Sequence, residues 1–319
     1  MQDHFSNKGA LVSIAVPCYN QELVLAETLS SLVDQDYENL EIVVSDDAST
    51  DGTADIAHDF ALRFPGRVIF RRQRKNLGPT ENVRAMSPLL RGDYICWFAG
   101  DDICLPGKVS KQVAAITAEP DAVACYHDVD VFDGMTGRSL YRYNEPGLGH
   151  TPYAGHIVRE LLLHRCFIGA ISIMVRKDVA HKVRHVSELA RISDWLYFID
   201  VAYCGKVVYL PEVLARYRRH KDNITRTVDI TDELRTYEIV KEKYPEYTRE
   251  ADLGLLRLKV AYCLRYASVG QFGKALGLAA ELCQHAALHP SDAAQIVKHI
   301  LFLARQRAYL LIGTGKVGR

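Results

Sequence analysis

The sequence predicts an α/β protein: a mainly parallel sheet flanked by helices, followed by a helical C-terminal appendage. Three observations carry that reading. Apolar runs of strand type recur at Val12–Val16, Leu40–Ser45, Val68–Arg71 and Tyr94–Phe98, with starts 26 to 28 residues apart. Helix-period segments fill the intervals, at Glu22–Val33, Gly52–Arg63 and Thr80–Leu90. Strands and helices alternating at this length build βαβ units, which set parallel strands side by side with helices on the faces. From about Thr231 onward Leu, Ala, Arg and Glu dominate and no strand-type run returns.

Taken in order, the elements have local causes. In the first helix Leu25, Leu29, Leu32 and Val33 recur at three- and four-residue steps, an apolar stripe that must face the sheet. The fourth strand runs out into Ala99-Gly100-Asp101-Asp102. A helix over about Pro106–Thr117 follows and is closed by Glu119-Pro120. Ala122–Val131 reads as a strand, with a glycine turn through Gly134 and Gly137. The segment Asn144–His156 carries three glycines with Pro146 and Pro152, and is long enough to be a functional loop. Ile168–Val175 reads as a strand, Asp194–Cys204 as a helix, and Val207–Arg218 as a strand interrupted near Pro211. A boundary near residue 228 separates a first domain, 1–228, from a helical region, 229–319. The first domain divides into halves at 10–120 and 121–228.

Composition narrows the class. Hydrophobic residues are 48% and charged residues 24% of the chain, ordinary values for a globular protein. Lys plus Arg equals Asp plus Glu at 39 each, so no global field argues for nucleic acid as a partner. The eight cysteines include no C-x-x-C pair, and most sit among apolar neighbours. That pattern predicts reduced, buried thiols of a cytoplasmic protein, rather than a disulfide frame or a zinc site. The longest apolar stretch, Cys166–Val175, is ten residues and cannot span a bilayer. Met1–Lys8 is polar, and Leu11–Val16 reads as a strand rather than a signal core.

In sheets of this kind ligands bind beyond the carboxyl ends of the strands. There the first strand delivers Pro17-Cys18-Tyr19-Asn20, with Glu22 beyond, and the second delivers Asp46-Asp47-Ala48-Ser49. The third is followed by Asn76-Leu77-Gly78-Pro79 and the fourth by Asp101 and Asp102. A ring at Tyr19 can face a base, a carboxylate at Asp47 can accept a hydrogen bond from a ring N–H, and Gly78 lets backbone approach closely. Two adjacent carboxylates repel unless positive charge lies beside them. Mg²⁺ or Mn²⁺, which takes oxygen ligands and is usually shared with phosphates, is one such partner. Each segment also has a plain alternative, the capping of the helix that follows, by Ser49 and Thr50 or by Asp102.

Several motifs occur in fixed order: Val16-Pro17-x-Tyr19-Asn20, Ser31-Leu32-x-x-Gln35-x-Tyr37, and Glu41-Ile42-Val43-Val44-x-Asp46-Asp47-x-Ser49-x-Asp51-x-Thr53. Asn76-x-Gly78 comes next, then Gly92-x-Tyr94-Ile95 leading to Asp101-Asp102. Together they resemble the family 2 glycosyltransferases, densely over residues 11–120 and more loosely to about 225. The resemblance implies an A-type glycosyltransferase fold, a nucleotide-sugar donor, a Mn²⁺ or Mg²⁺ cofactor and inversion at the anomeric carbon. It places Pro17, Tyr19, Asn20, Glu22, Asp47, Asn76, Gly78 and Asp101 around the nucleotide, with Asp47 on the base and Asp101 on the ribose. Gly100-Asp101-Asp102 stands in place of the family's Asp-x-Asp, which implies direct metal contact by Asp102.

An inverting transfer also needs a base for the acceptor hydroxyl. Asp194, which opens an apolar helix after Arg191-Ile192-Ser193, resembles the family's acidic residue at this place, with Ser193 where a first acid often stands. The alternative is a helix cap. Tyr217-Arg218-Arg219-His220-Lys221-Asp222-Asn223 is similar to the family's Tyr-Arg-x-His-x-x-Asn, and implies that Arg218 or His220 lies by the diphosphate. The alternative is a solvated basic turn. The family's frequent donor is a UDP-hexose. Its acceptors include hydroxyls of glycans and of polyprenyl-lipid-linked glycans in bacterial polysaccharide assembly.

The tail adds a question of partners. Gln295–Ile312 mixes a broad apolar stripe with Lys298, Arg305 and Arg307, and Lys316 and Arg319 follow. Such a helix can pack on the first domain, join a second copy in a homodimer, or lie on an anionic membrane at its inner face. Two other functions suit a nucleotide-binding sheet. A nucleotidyltransferase would carry a Gly-rich loop with Arg and Lys after the first strand, and Pro17-Cys18-Tyr19-Asn20-Gln21-Glu22 is not one. A non-catalytic nucleotide-sugar-binding protein would keep its function after Asp102→Ala and Asp194→Asn.

Overall fold

The computed structural model describes residues 9–145, 150–183, 188–189, 193–220, 223 and 229–313, with side chains described to residue 303. Four parallel strands form the first half of one sheet: β1 (Val12–Cys18), β2 (Leu40–Asp46), β3 (Val68–Arg72) and β4 (Tyr94–Trp97), ordered β3-β2-β1-β4. Helices α1 (Leu25–Val33), α2 (Thr53–Arg63) and α3 (Pro79–Met86) connect them. β2 is buried along its whole length, as a parallel strand covered on both faces must be. α1 buries Leu25, Leu29 and Leu32, each worth roughly 1.5–3 kcal/mol of transfer free energy. The strand order reverses at β1, which opens a crevice beyond the carboxyl ends of β1 and β4.

Beyond β4 the sheet becomes mixed. It adds β5 (Ile103–Cys104), β6 (Ala122–Asp133), β7 (Ser139–Arg142), β8 (Met174–Arg176) and β9 (Lys206–Arg219), continuing as β4-β8-β6-β9-β5 with β7 on β6. β8 is antiparallel to both its neighbours, and β9 is parallel to β6. The helices in this stretch are α4 (Lys108–Ala118), α5 (Val158–His164), α6 (Lys177–Lys182) and α7 (Asp194–Tyr203).

Three local readings change. Of the expected strand Ile168–Val175 only Met174 and Val175 pair, in β8, because Ser172 Oγ donates to the Gly169 carbonyl where Ala170–Ser172 winds into a 3₁₀ turn. A mostly apolar run has no period from which to read that difference. Pro211 does not interrupt β9. The partner register steps from Leu210 opposite His127 to Val213 opposite Asp128, so the proline, which has no N–H to give, sits in a bulge. The thiols divide as well. Cys18, Cys96, Cys104 and Cys125 are buried, whereas Cys204 and Cys283 are exposed, and none of the eight forms a disulfide.

The chain forms two compact units. The sheet unit comprises 1–143, 152–157 and 168–220, and the helical unit comprises 144–151, 158–167 and 221–319. In the helical unit α9 (Thr248–Ser268), α10 (Phe272–Leu288) and α11 (Pro290–Gly313) meet over Leu256, Val260 and Leu282, with Ile296 and Leu303 against them, and α8 (Thr231–Lys243) packs on α9. α5 belongs here. Tyr237 donates to the Leu162 carbonyl at 2.8 Å, and Gly254 lets α9 lie directly on that carbonyl. Among the described residues no helix is long and apolar enough to cross a membrane.

Candidate active site

The loops after β1 and β2 are joined to each other. Asn20 takes a left-handed conformation (φ 49°), which its short amide side chain tolerates. Its N–H donates to Ser49 Oγ at 2.9 Å, and its Oδ1 accepts from the Thr50 N–H at 2.9 Å. Gln21 N–H donates to Thr53 Oγ1 at 2.7 Å, and Glu22 accepts from the Gly52 N–H at 2.7 Å. Asp46 is fully buried; it accepts from Ser49 and pairs with Arg72 at 3.3 Å. Asp51 accepts from the Thr53 N–H at 3.0 Å, so Asp51 and Glu22, rather than Ser49, satisfy the start of α2. Tyr19 stands beside this junction with 44% of its surface exposed. Cys18 is not a nucleophile here, because burial and the Asp46 charge push its thiol pKa far up.

Asp47 organises the next stretch. Its two oxygens accept the N–H groups of Leu77 and Gly78, each at 2.8 Å, and Asn76 Oδ1 also accepts from Gly78 at 3.0 Å. Gly78 sits at φ 83°, a region that costs a side chain and leaves the turn open to a ligand. Pro79 then begins α3, and Thr80 Oγ1 donates to the Leu189 carbonyl at 2.8 Å and lies 3.3 Å from Ser193 Oγ. Asp194 follows as the first residue of α7, its Oδ1 accepting from the Trp195 N–H at 2.9 Å. Thus Asp47 and Asp194, 147 residues apart, are linked through one short helix start. Arg191 and Ile192 lie outside the described residues, as do Lys221, Asp222 and Thr225.

The acidic pair sits on a third framework. Thr28 Oγ1 donates to the Gly100 carbonyl at 3.0 Å, and a Cβ at Gly100 would stand 3.0 Å from Cys18 Cβ, so this loop rests directly on β1 and α1. Asp102 caps nothing. It is followed by β5, and α4 starts only at Lys108 after Gly107. Its side chain is wholly buried, with Oδ1 accepting from the Arg218 N–H at 2.7 Å and Oδ2 meeting no partner among the described residues. Burial and the neighbouring Asp101 charge push its carboxyl pKa well up, while the Arg218 N–H and guanidinium oppose them. Asp101 is the more open of the two, its side chain 13% exposed, with Oδ2 2.8 Å from His220 Nε2.

Sequence reasoning placed several of these residues differently. Arg218 or His220 was expected at the diphosphate; the Arg218 guanidinium pairs with Glu27 and donates to the Asp101 carbonyl, and His220 Nε2 lies 2.8 Å from Asp101 Oδ2. Glu22 closes on Gly52 and Asp47 on a backbone turn, so both hold the frame. Direct cation contact was expected of Asp102; its carboxylate is buried with Oδ2 unpartnered among the described residues, and Asp101 beside it is the more exposed of the two. Thr28, Glu27 and Thr80 were missed, because each acts on residues distant in sequence and none carries a motif of its own. Two open hollows, of about 460 Å³ by Asp93, Arg176 and His181 and about 450 Å³ by Glu38, Arg67 and Arg91, lie at the amino edge of the sheet, away from the acids.

The donor set fits a hard divalent cation. Among the described residues no three His, Cys, Asp or Glu side chains stand together, so the protein would offer one or two carboxylates and leave the other positions to phosphates and water. The orphan Oδ2 of Asp102 beside the open Asp101 is the feature that suits such an ion.

Comparison with known proteins places the chain in a family. Residues 13–183 match the family model described as glycosyl transferase family 2. The putative glycosyltransferase EpsE of Bacillus subtilis is 31% identical over 226 residues, 69% of this chain and 77% of that protein. The abequosyltransferase RfbV of Salmonella typhimurium is 41% identical over 178 residues, 53% of each. An uncharacterized protein of Mycobacterium tuberculosis is 32% identical over 67% of this chain, and the match spans only 60% of that protein's length. Among solved structures, Staphylococcus aureus TarS with UDP-GlcNAc superposes at a TM-score of 0.57 with 15% identity, covering 86% of this chain and 92% of that one. A mannosyltransferase of Pyrobaculum calidifontis with GDP-Man and Mn²⁺ gives 0.60 with 17% identity, covering 96% and 86%. At these identities the structures establish a shared fold.

Proposed function

The chain belongs to the family 2 glycosyltransferases, and from that premise we propose that it moves a hexose-type sugar, with inversion, from a nucleotide diphosphate donor to a hydroxyl of a glycan or lipid-linked acceptor. The observation that carries the proposal is the convergence of Asp47, Asp101 and Asp102 at the carboxyl ends of β2 and β4, around the strand where the order reverses. Bound nucleotide sugars in two proteins of the same fold support it. UDP is the donor nucleotide we favour, on the frequency of such donors in the family.

The Asp47 turn and Tyr19 receive the base, with Pro17 and Asn20 beside them, and the open Gly78 lets the donor lie against backbone. A bound Mn²⁺ or Mg²⁺ would neutralise charge on the departing diphosphate, and Asp101, backed by the buried Asp102, would hold it. His220 steadies Asp101 from the other side. Asp194 accepts the proton of the acceptor hydroxyl as that oxygen bonds to the anomeric carbon. The bond from that carbon to the diphosphate oxygen breaks with its electron pair, and the nucleoside diphosphate leaves. No enzyme nucleophile is needed, in keeping with a protonated Cys18.

We assign the sheet unit to catalysis. The helical unit offers a contact surface, on which Phe272, Leu276, Val297, Leu301 and Phe302 are exposed. A second copy or an anionic membrane at the cytoplasmic face is its partner.

The test is direct: incubate the protein with a panel of UDP- and GDP-sugars, Mn²⁺ and hydroxyl acceptors, and read the product's anomeric configuration by NMR. Transfer from an α-linked donor to a β-linked product is expected. Retention, or nucleotidyl transfer instead of glycosyl transfer, would overturn the reading.

A further inference from the structure

We propose that Glu27 and Arg218 form a positioning pair that sets the aim of the Asp101 carboxylate, and with it the affinity for a divalent cation. The proposal rests on the glycosyltransferase reading only for what the carboxylate holds. The pairing itself is a matter of geometry.

Arg218 reaches the acidic loop twice and α1 once. Its main-chain N–H donates to Asp102 Oδ1 at 2.7 Å, its Nε donates to the Asp101 carbonyl at 2.7 Å, and its Nη2 pairs with Glu27. The residue is 7% exposed, and its guanidinium lies 4.8 Å from the centre of the buried Phe132 ring. A Cβ at Gly134 would fall 2.9 Å from Arg218 Cγ, so the absence of a side chain there gives the arginine its path. One terminal nitrogen is aimed by Glu27, on the exposed side of α1.

The adjacent residue completes the grip. Thr28 Oγ1 holds the Gly100 carbonyl at 3.0 Å, while Glu27, acting through Arg218, holds the next one, that of Asp101. Two consecutive carbonyls are therefore fixed from two consecutive positions of one helix. Fixing both ends of the Gly100–Asp101 and Asp101–Asp102 peptides fixes the Cα–Cβ direction of Asp101. A carboxylate held in this way gains affinity because the ordering is complete before the ion arrives.

Glu27 is the residue to change, because its side chain is 56% exposed and its replacement spares the core. In the full chain, Glu27→Ala is expected to weaken Mn²⁺ binding, read by electron paramagnetic resonance of free Mn²⁺, about tenfold. Glu27→Gln, which keeps an acceptor for Arg218, is expected to recover part of that loss. Hydrogen exchange of the amides around 100–104 and 217–219 should quicken at least fivefold in Glu27→Ala, with the melting temperature unchanged. Equal Mn²⁺ affinity in wild type and Glu27→Ala would overturn the proposal, as would exchange rates that do not differ. A wild type that binds no Mn²⁺ would count against the metal-assisted reading, and the exchange experiment would still decide whether the pair positions the loop.

Discussion

At the scale of single residues, chemistry and support are divided among carboxylates that look alike in sequence. Asp46 and Asp102 are buried, Asp47 is tied to two backbone N–H groups, and Asp101 and Asp194 remain partly open. Replacing Asp47 by Ala leaves the Leu77 N–H without its acceptor and the Gly78 N–H with Asn76 Oδ1 alone, at a cost of about 1–3 kcal/mol. A lower urea midpoint and nucleotide affinity weakened at least tenfold are expected, and an unchanged midpoint would show that the turn does not depend on it. Asp194→Asn keeps the shape but cannot take a proton, so kcat should fall by roughly 10²–10⁴ with donor affinity within a factor of a few. Comparable losses in donor affinity and kcat would place Asp194 with the donor instead. Sequence alone pointed to these acids through their strand ends. It could not rank Asp101 above Asp102, because burial depends on Arg218, 116 residues beyond Asp102.

At the scale of elements, β1 to β4 and their helices were legible because their rhythm is regular and their apolar faces have a period. What escaped were segments whose character depends on distant partners. Residues 168–172 look like a strand because they sit in a mostly apolar run, yet Gly169 and Ser172 make a turn. The segments 144–151 and 158–167 fall between β7 and β8 of the sheet in sequence, yet they belong to the helical unit. α5 is seven residues long and cannot be stable alone; it gains its place from Tyr237 and from Gly254 on α9. Gly254→Ala is therefore expected to destabilise, since the added methyl meets the Leu162 carbonyl and the Tyr237 ring. Ordinary helix propensity predicts the opposite, a gain of up to about 1 kcal/mol. Chemical denaturation of the variant separates the two, and a stabilised Gly254→Ala would contradict the packing.

At the scale of the whole molecule, one buried ionisable group links stability to pH. His127 lies in the core of the sheet unit with Nδ1 2.7 Å from the Asp128 carbonyl, and burial, helped by the nearby Lys108 charge, holds its pKa well below the usual value. The folded state thus keeps it neutral while the unfolded chain protonates it near pH 6.5. Its contribution is complete above that value and is lost as pH falls toward the depressed folded pKa, at up to about 1.4 kcal/mol per pH unit. His150, held to about 4 by burial and by Arg165, acts in the same direction. Urea midpoints should fall between pH 7 and pH 5, less steeply in His127→Gln, and a profile of equal slope in both would exclude the histidine as a cause. The larger claim is that residues from four strand ends serve one nucleotide and one cation. Titration calorimetry of UDP and GDP with and without Mn²⁺, in wild type and in Asp101→Asn, tests it most directly. The account predicts binding that is strengthened at least tenfold by Mn²⁺ in the wild type, with that gain abolished in Asp101→Asn. Nucleotide binding of equal strength in all four conditions, or none in any, would contradict it.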